Sequence, residues 1–169
     1  MSEQEGKAVA LVLGGGAPLD FAFPLERSWP QHEVEKLPTR TLAYIGDAVY
    51  ELGVRLHHVS SSTDVGGKLH ASVVGIVCAA NQARLFVEIL ASLPENEQTL
   101  LKHWRNAKLP SRPHAGSSKG EYARSTAFEA WVGFLFLTGQ TSRLLEVFRR
   151  ARSSAGTDSE VAPTSADEE

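Results

Sequence analysis

Residues 127–137, AFEAWVGFLFL, constrain the fold of this chain more than any other segment. Glu129 is the only charged residue among them. A helix that is apolar on all sides is buried in the protein interior. The segment therefore predicts a buried helix that carries one acidic side chain into apolar surroundings.

Glu129 needs a compensating partner, because an ionised carboxylate in apolar surroundings is costly unless it is paired or binds a cation. One interpretation is structural: the side chain pairs with a buried arginine or caps a neighbouring helix. The other is functional: the carboxylate is a ligand for a hard metal ion. Mg²⁺ takes oxygen ligands, usually one or two carboxylates together with waters and substrate phosphates, so the functional interpretation asks for a second acid.

Asp47 is the natural candidate for that second ligand. It lies in residues 42–59, LAYIGDAVYELGVRLHHV, whose apolar residues recur at helical spacing. Asp47 falls nearly opposite this stripe, beside Glu51, where a solvated acid would also be ordinary. The stripe consists of Leu42, Ile45, Val49, Leu52 and Leu56.

Gly46 directly precedes this acid in the middle of the predicted helix. Glycine in a helix costs about 1 kcal/mol relative to alanine. Such a cost indicates that another backbone or a ligand approaches closely at this point. We therefore predict that Asp47 and Glu129 meet in the folded protein, while the contribution of Glu51 stays open.

Basic residues concentrate just before the Glu129 helix. The chain has 17 Lys and Arg against 20 Asp and Glu, a net charge of −3, but residues 153–169 hold five acids and no base. Residues 99–128 hold six Lys or Arg against one acid. Such a surface can bind phosphate whatever the overall charge, although a solvated loop would show the same pattern. The candidate phosphate-binding residues are Arg105, Asn106, Lys108, Lys119, Tyr122 and Arg124.

The hydrophobic pattern as a whole predicts an all-α fold with five to seven helices. A helix capped by Thr39 or Thr41 is predicted to run to about His58. Residues 109–120 are rich in proline and glycine and are predicted to form a loop. The further predicted helices cover residues 69–93 in two pieces, a segment from Pro94 to about Lys108, residues 121–137 and residues 142–152.

Composition divides the chain into three parts. Residues 1–35 are predicted to be an irregular or partly disordered N-terminal arm, with a short strand as the alternative. Residues 36–152 are predicted to be the single folded domain. Residues 153–169, rich in serine, alanine and acids, are predicted to be a disordered tail.

Several kinds of site and location are disfavoured. The one cysteine, Cys78, excludes an internal disulfide and a multi-cysteine zinc site, and it fits a reducing, cytoplasmic setting. No apolar run reaches the ~18 residues of a membrane span. A G-x-S-x-G pattern at residues 116–120 follows a proline-rich segment instead of the buried strand that a lipase needs. The adjacent His57 and His58 point about 100° apart on a helix and are expected to cover a surface.

Three motifs resemble the catalytic domain of ribonuclease III, and more narrowly Mini-ribonuclease III. Residues 42–51, LAYIGDAVYE, are similar to that branch's LAYxGDAVYE, and residues 105–108 read RNAK as its own motif does. Tyr122 with residues 125–130, STAFEA, is similar to its Y-x-x-S-T-G-F-E-A. The motifs occur in the family's order over about residues 36–152.

The resemblance implies a homodimeric, all-α endonuclease domain that cleaves double-stranded RNA with Mg²⁺ and lacks the usual double-stranded-RNA-binding domain. The role known for the branch is trimming of precursor large-subunit (23S) ribosomal RNA. By position, Asp47 and Glu129 match the two essential acids. Tyr44 matches an aromatic residue that enters the partner subunit. The candidate phosphate-binding residues then become RNA-binding residues.

The chain also departs from the parent family's pattern. Ala43 and Thr126 stand where full-length ribonuclease III has further acids, so the metal site would be sparser, as it is in Mini-ribonuclease III. Ala127 replaces a glycine of the branch. Two other functions remain as alternatives: a non-catalytic RNA-binding dimer on the same scaffold, and a helical protein-interaction module with Glu129 as a structural acid. A non-catalytic relative should have lost one of the two acids, and this chain keeps both.

Overall fold

The computed structural model of the protein describes residues 28–61, 63, 66–108 and 118–156, with side chains described up to residue 151. This part of the chain forms seven helices and no strand, as the all-α prediction requires. The predictions for residues 1–27, 109–117 and 157–169 lie outside the described residues. The helices are α1 (Gln31–Val34), α2 (Thr39–Ser61), α3 (Gly67–Val77), α4 (Ala79–Ser92), α5 (Glu95–Arg105), α6 (Lys119–Leu137) and α7 (Thr141–Gly156).

Helix α6 is the central element of the fold, and eleven of its residues are buried. Helices α2, α4, α5 and α7 pack around it. On the α5 side, the ring of Trp104 lies 5.6 Å from that of Phe134 and 6.3 Å from that of Trp131. On the α2 side, Tyr50 meets Phe128 edge to face at 4.9 Å. The apolar run in the sequence is therefore buried from several directions, as its composition predicts.

The crossing of α2 and α6 depends on two glycines. A Cβ atom added at Gly46 would lie 1.8 Å from the carbonyl oxygen of Glu129, and one added at Gly133 would lie 2.2 Å from that of Leu42. Real Cβ atoms do not approach so closely, so the two backbones can touch only at glycine. The close approach that Gly46 predicts is thus observed, and it sets Asp47 next to the Glu129 segment.

Only Leu42 of the predicted apolar stripe of α2 is fully buried. The other four residues, Ile45, Val49, Leu52 and Leu56, are partly buried. The reason is the glycine contact, which draws the face containing Gly46 against α6, while α3 and α7 cover other sides of the helix. The buried residues of α2 are Leu42, Ala43, Gly46, Tyr50 and Val54.

Several helix ends also differ from the predictions. The amides of Thr41 and Leu42 donate to the carbonyl of Pro38, which places Thr39 and Thr41 inside the first turn of α2 instead of at its cap. Helix α5 ends at Arg105, three residues before Lys108. Helix α6 begins at Lys119, because the Ser118 hydroxyl accepts a hydrogen bond of 3.2 Å from the Glu121 amide. Within the predicted arm, residues 31–34 form α1.

Residues 69–93 form two helical pieces, as predicted. Cys78, with φ −65° and ψ 153°, separates α3 from α4, and the two helix axes differ by 44°. In the described part of the chain no single helix has the length and apolar composition to cross a membrane, while α3 and α4 reach them only as this bent pair. The break directs the first turn of α4 toward α6 and α2.

Candidate active site

A cleft of about 390 Å³ opens where α2, α4 and α6 meet. Helix α2 contributes one wall, the first turn of α4 a second, and the first half of α6 the floor. The cleft is open to solvent along one side, so a polymer could lie across it. Its polar lining includes Arg40, Tyr44, Asp47, Gln82, Tyr122, Thr126 and Glu129.

The structure brings Asp47 and Glu129 to the same cleft although 81 intervening residues separate them in the chain. The Gly46 contact with the Glu129 backbone holds the two helices at this point. Asp47 is exposed at the rim, whereas Glu129 is half-buried at the floor. Asp47 is close enough for its negative charge to affect the ionisation of Glu129. Their meeting was predicted from the sequence, and their roles as metal ligands stay a prediction.

The ionisation of Glu129 reflects this environment. Burial, and after it the negative charge of Asp47, raise the pKa of the Glu129 carboxyl from 4.5 to about 8, against a hydrogen bond from Gln82 that lowers it. Glu129 takes part in none of the ion pairs between described residues. These ion pairs therefore do not support the interpretation in which Glu129 pairs with a buried arginine. A divalent cation bound beside Glu129 would favour the ionised form that burial and Asp47 disfavour.

The donor set suits Mg²⁺. Two carboxylates at one open cleft match the one or two that Mg²⁺ takes from proteins, with waters and substrate phosphates completing its octahedral shell. Within the described ranges, no group of three or more His, Cys, Asp and Glu side chains could hold a metal ion. Ala43 and Thr126, which stand where the parent family has further acids, also line the cleft, and the sparser metal site stays a prediction. Glu51 does not line the cleft and pairs instead with Arg55 on the exposed side of α2.

The candidate RNA-binding residues fall into two groups. Tyr122 lines the cleft, with Lys119 and Arg124 nearby on the first turns of α6. Arg105, Asn106 and Lys108 lie at and beyond the end of α5 and do not line the cleft. The Arg105 Nε donates to the Asn106 side-chain oxygen at 3.2 Å. If both groups bind one duplex, the area of the protein that contacts the RNA must extend beyond the cleft.

Tyr44 is the most exposed large hydrophobic residue in the described part of the chain. It is 79% exposed and stands at the rim of the cleft, three residues before Asp47. The Tyr44 ring is therefore presented to solvent at the edge of the candidate site.

Two cleft residues were missed in the sequence. Arg40 precedes Asp47 by seven residues, or two helical turns, and so lies on the same face of α2. Gln82 begins a stripe on α4 whose other members are Leu85, Phe86 and Ile89, all buried. A polar residue at the start of an apolar helical stripe indicates a buried polar group, because it lies on the same face as the buried residues.

The comparison with known proteins supports the same interpretation. The family model for the ribonuclease III domain matches residues 40–140, which is more than half of the chain. The chain belongs to the ribonuclease III family. Relatives named Mini-ribonuclease 3 match it over most of its length. The Mini-ribonuclease 3 of Symbiobacterium thermophilum is 41% identical over 115 residues, covering 68% of this chain and 88% of the relative.

Other members of this branch match at similar levels. The Mini-ribonuclease 3 of Desulfitobacterium hafniense is 36% identical over 140 residues, covering 80% of this chain and 82% of the relative. A crystal structure of a protein from Fusobacterium nucleatum shares the fold, with a TM-score of 0.64 at 23% identity over 72% of this chain and 97% of that chain. The resemblance found in the three motifs is thereby confirmed.

Proposed function

We propose that this member of the ribonuclease III family is a Mg²⁺-dependent endonuclease that hydrolyses phosphodiester bonds in double-stranded RNA. We further propose that it acts in the cytoplasm on precursor 23S ribosomal RNA. The observation that carries the proposal is the meeting of Asp47 and Glu129 in one open cleft. Family membership supplies the enzymatic class, and the names of the Mini-ribonuclease 3 relatives support the same activity.

The side chains of the cleft have separable tasks in this mechanism. Asp47 and Glu129 would hold one or two Mg²⁺ ions, leaving the open side for waters and a phosphate. Bound Mg²⁺ supplies the activation of water for in-line attack and the stabilisation of the leaving 3′-oxygen. Among the described residues that line the cleft, Arg40 is the one basic side chain. It is placed to bind a phosphate oxygen of the scissile strand.

The wider surface would recognise the shape of the duplex. The deep groove of A-form RNA keeps side chains away from base edges, so contacts go to phosphates and sugars. Lys119 and Arg124 extend the positive surface from the cleft along α6, and Arg105 and Lys108 add a second contact beyond α5. The proposed enzyme therefore reads the shape of the RNA more than its sequence.

A long RNA duplex, incubated with Mg²⁺ and separately with EDTA, tests the proposed function. The wild-type protein should cut the duplex only with Mg²⁺ and leave single-stranded RNA and DNA duplex intact. Asp47→Asn, which removes one ligand charge at the rim, should cut at least ~10³-fold more slowly. Full activity in that variant, or cutting in EDTA, would refute the mechanism. A wild-type protein that binds the duplex and never cuts it would instead support the non-catalytic RNA-binding dimer.

The exposed Tyr44 supports a proposed homodimer, in which the partner subunit covers this side chain. Tyr44→Ala should raise the dissociation constant of the dimer at least ~10-fold, since burial of an aromatic side chain contributes more than 1.4 kcal/mol. Sedimentation equilibrium measures this constant directly. Val59→Ala is the control, because Val59 is also exposed, at 65%, but lies at the far end of α2. Equal dissociation constants for Tyr44→Ala and wild type would contradict the proposed interface.

A further inference from the structure

Gln82 differs from the other buried polar residues of the cleft. The described chain has three such residues, Gln82, Ser125 and Thr126, and all three line this cleft. Ser125 and Thr126 are on α6 itself, and the Ser125 hydroxyl donates to the Tyr122 carbonyl of its own helix. Gln82 is only 3% exposed and enters from α4. A buried amide is costly unless it forms hydrogen bonds, so its partner explains its presence.

Glu129 is the acid that faces Gln82 in the cleft. Both side chains line it where α4 packs on α6, and hydrogen bonding from Gln82 favours the ionised form of the Glu129 carboxyl. Leu85 and Phe86, one turn later on the same face of α4, are each 1% exposed, and they fix the helix against the core. The donor is thus carried by a packed, rigid element, which is what accurate positioning of a metal ligand requires.

The chemistry of an amide suits this place better than a charged donor would. An arginine or lysine here would neutralise Glu129 and compete with a divalent cation for it. A neutral N–H group orients one carboxylate oxygen and leaves the negative charge for the metal. Hydrogen-bond partners of this kind fix the orientation of metal-binding side chains, and losing one typically lowers metal affinity or activity 10–100-fold.

We propose that Gln82 is a positioning residue that orients the Glu129 carboxylate toward the divalent ion at the Asp47 side of the cleft. The inference rests on the proposed function in one respect, namely that the two acids bind a metal. Gln82 itself touches neither the metal nor the RNA in this scheme. Its effect should therefore appear in metal affinity and leave the affinity for the duplex unchanged.

Gln82→Met tests the proposal, because methionine is about as long as glutamine and lacks the amide. Mn²⁺ bound to the full-length protein, without RNA, is measured by electron paramagnetic resonance. We expect the Mn²⁺ dissociation constant to rise 10–100-fold. The control is Gln98→Met, since Gln98 is half-buried and donates to the Leu93 carbonyl at 3.0 Å, at the start of α5 and outside the cleft lining. It should bind Mn²⁺ as wild type does.

The cleavage assay supplies the second measurement. With Gln82→Met the Mg²⁺ concentration for half-maximal rate should rise by the same factor, KM for the duplex should stay constant, and high Mg²⁺ should restore much of the rate. Wild-type Mn²⁺ affinity in the folded variant, or a lost rate that Mg²⁺ does not restore, would overturn the proposal. Should Gln82→Met not fold, Gln82→Asn, whose amide is one methylene shorter, is expected to weaken Mn²⁺ binding in the same way.

Failure of the proposed function would look different. A wild-type protein that binds Mn²⁺ and cuts no duplex RNA would contradict the proposed reaction. The Mn²⁺ affinities of wild type, Gln82→Met and Gln98→Met would still decide whether Gln82 positions the ligand.

Discussion

Glu129→Gln is expected to abolish Mg²⁺-dependent cleavage of duplex RNA and, at the same time, to stabilise the metal-free protein at alkaline pH. The rate should fall at least ~10³-fold, because an amide is a poor substitute for a charged metal ligand. Binding of the duplex should survive, since the phosphate contacts come from other residues. Cleavage rates and a binding titration in Ca²⁺ or EDTA measure the two effects separately.

The gain in stability follows from the pKa of Glu129. The folded protein raises this pKa from 4.5 to about 8, so it binds the proton more tightly than the unfolded chain does. The stabilising contribution of the protonated carboxyl is complete below about pH 4.5 and is lost as the pH rises through about 8. Glutamine stays neutral throughout. At pH 9 in EDTA the variant should therefore be more stable by about 3 kcal/mol, allowing for solvent in the open cleft.

Urea unfolding at pH 6 and pH 9 in EDTA checks this expectation. From pH 6 to pH 9, the free energy of unfolding should decrease more for the wild type than for Glu129→Gln. Glu88→Gln is the control, because Glu88 is an exposed acid on α4 that pairs with Arg84 and has no place in the cleft. It should leave both the cleavage rate and the pH profile as in wild type. A Glu129→Gln protein that cuts duplex RNA at the wild-type rate would remove this acid from the mechanism.

Gly46→Ala should prevent the protein from folding. The new Cβ would lie 1.8 Å from the Glu129 carbonyl oxygen and 2.7 Å from the Gly133 nitrogen, and both are backbone atoms that cannot turn aside. Relief requires separating α2 from α6 through the middle of the core. We expect a loss of more than about 4 kcal/mol, which is comparable to the whole stability of many domains.

Circular dichroism melting and the soluble yield measure this effect. The control is Gly75→Ala on α3, where an added Cβ would meet no atom within 4 Å. That change should stabilise the protein by about 0.5–1 kcal/mol, since alanine is the better helix former. A Gly46→Ala protein that melts at the wild-type temperature would show that the two backbones do not touch at this position.

Features that belong to a single helix could be predicted from the sequence. The burial of α6 follows from its apolar run, and the contact at Gly46 follows from a glycine in a helix that needs none. The meeting of Asp47 and Glu129 was predicted because each signal demanded a partner. In each case the signal lies within one helix, and for the two acids there is one such signal on each helix.

Features that depend on how helices pack together could not be predicted in the same way. The stripe of α2 was misplaced, because its buried face is set by the contact with Gly133 and not by the number of leucines on each side. Gln82 and Arg40 acquire their meaning only when α4 and α2 border the same cleft. The cap of α2 was misplaced because the Pro38 carbonyl begins the hydrogen bonding that two threonines were expected to begin.

Crystals of the full-length protein soaked in Mn²⁺, with anomalous scattering recorded at the manganese edge, test the shared metal site most directly. The account predicts an anomalous peak in the cleft within bonding distance of carboxylate oxygens from both Asp47 and Glu129. Manganese found only elsewhere on the surface, or touching one of these carboxylates and not the other, would contradict it.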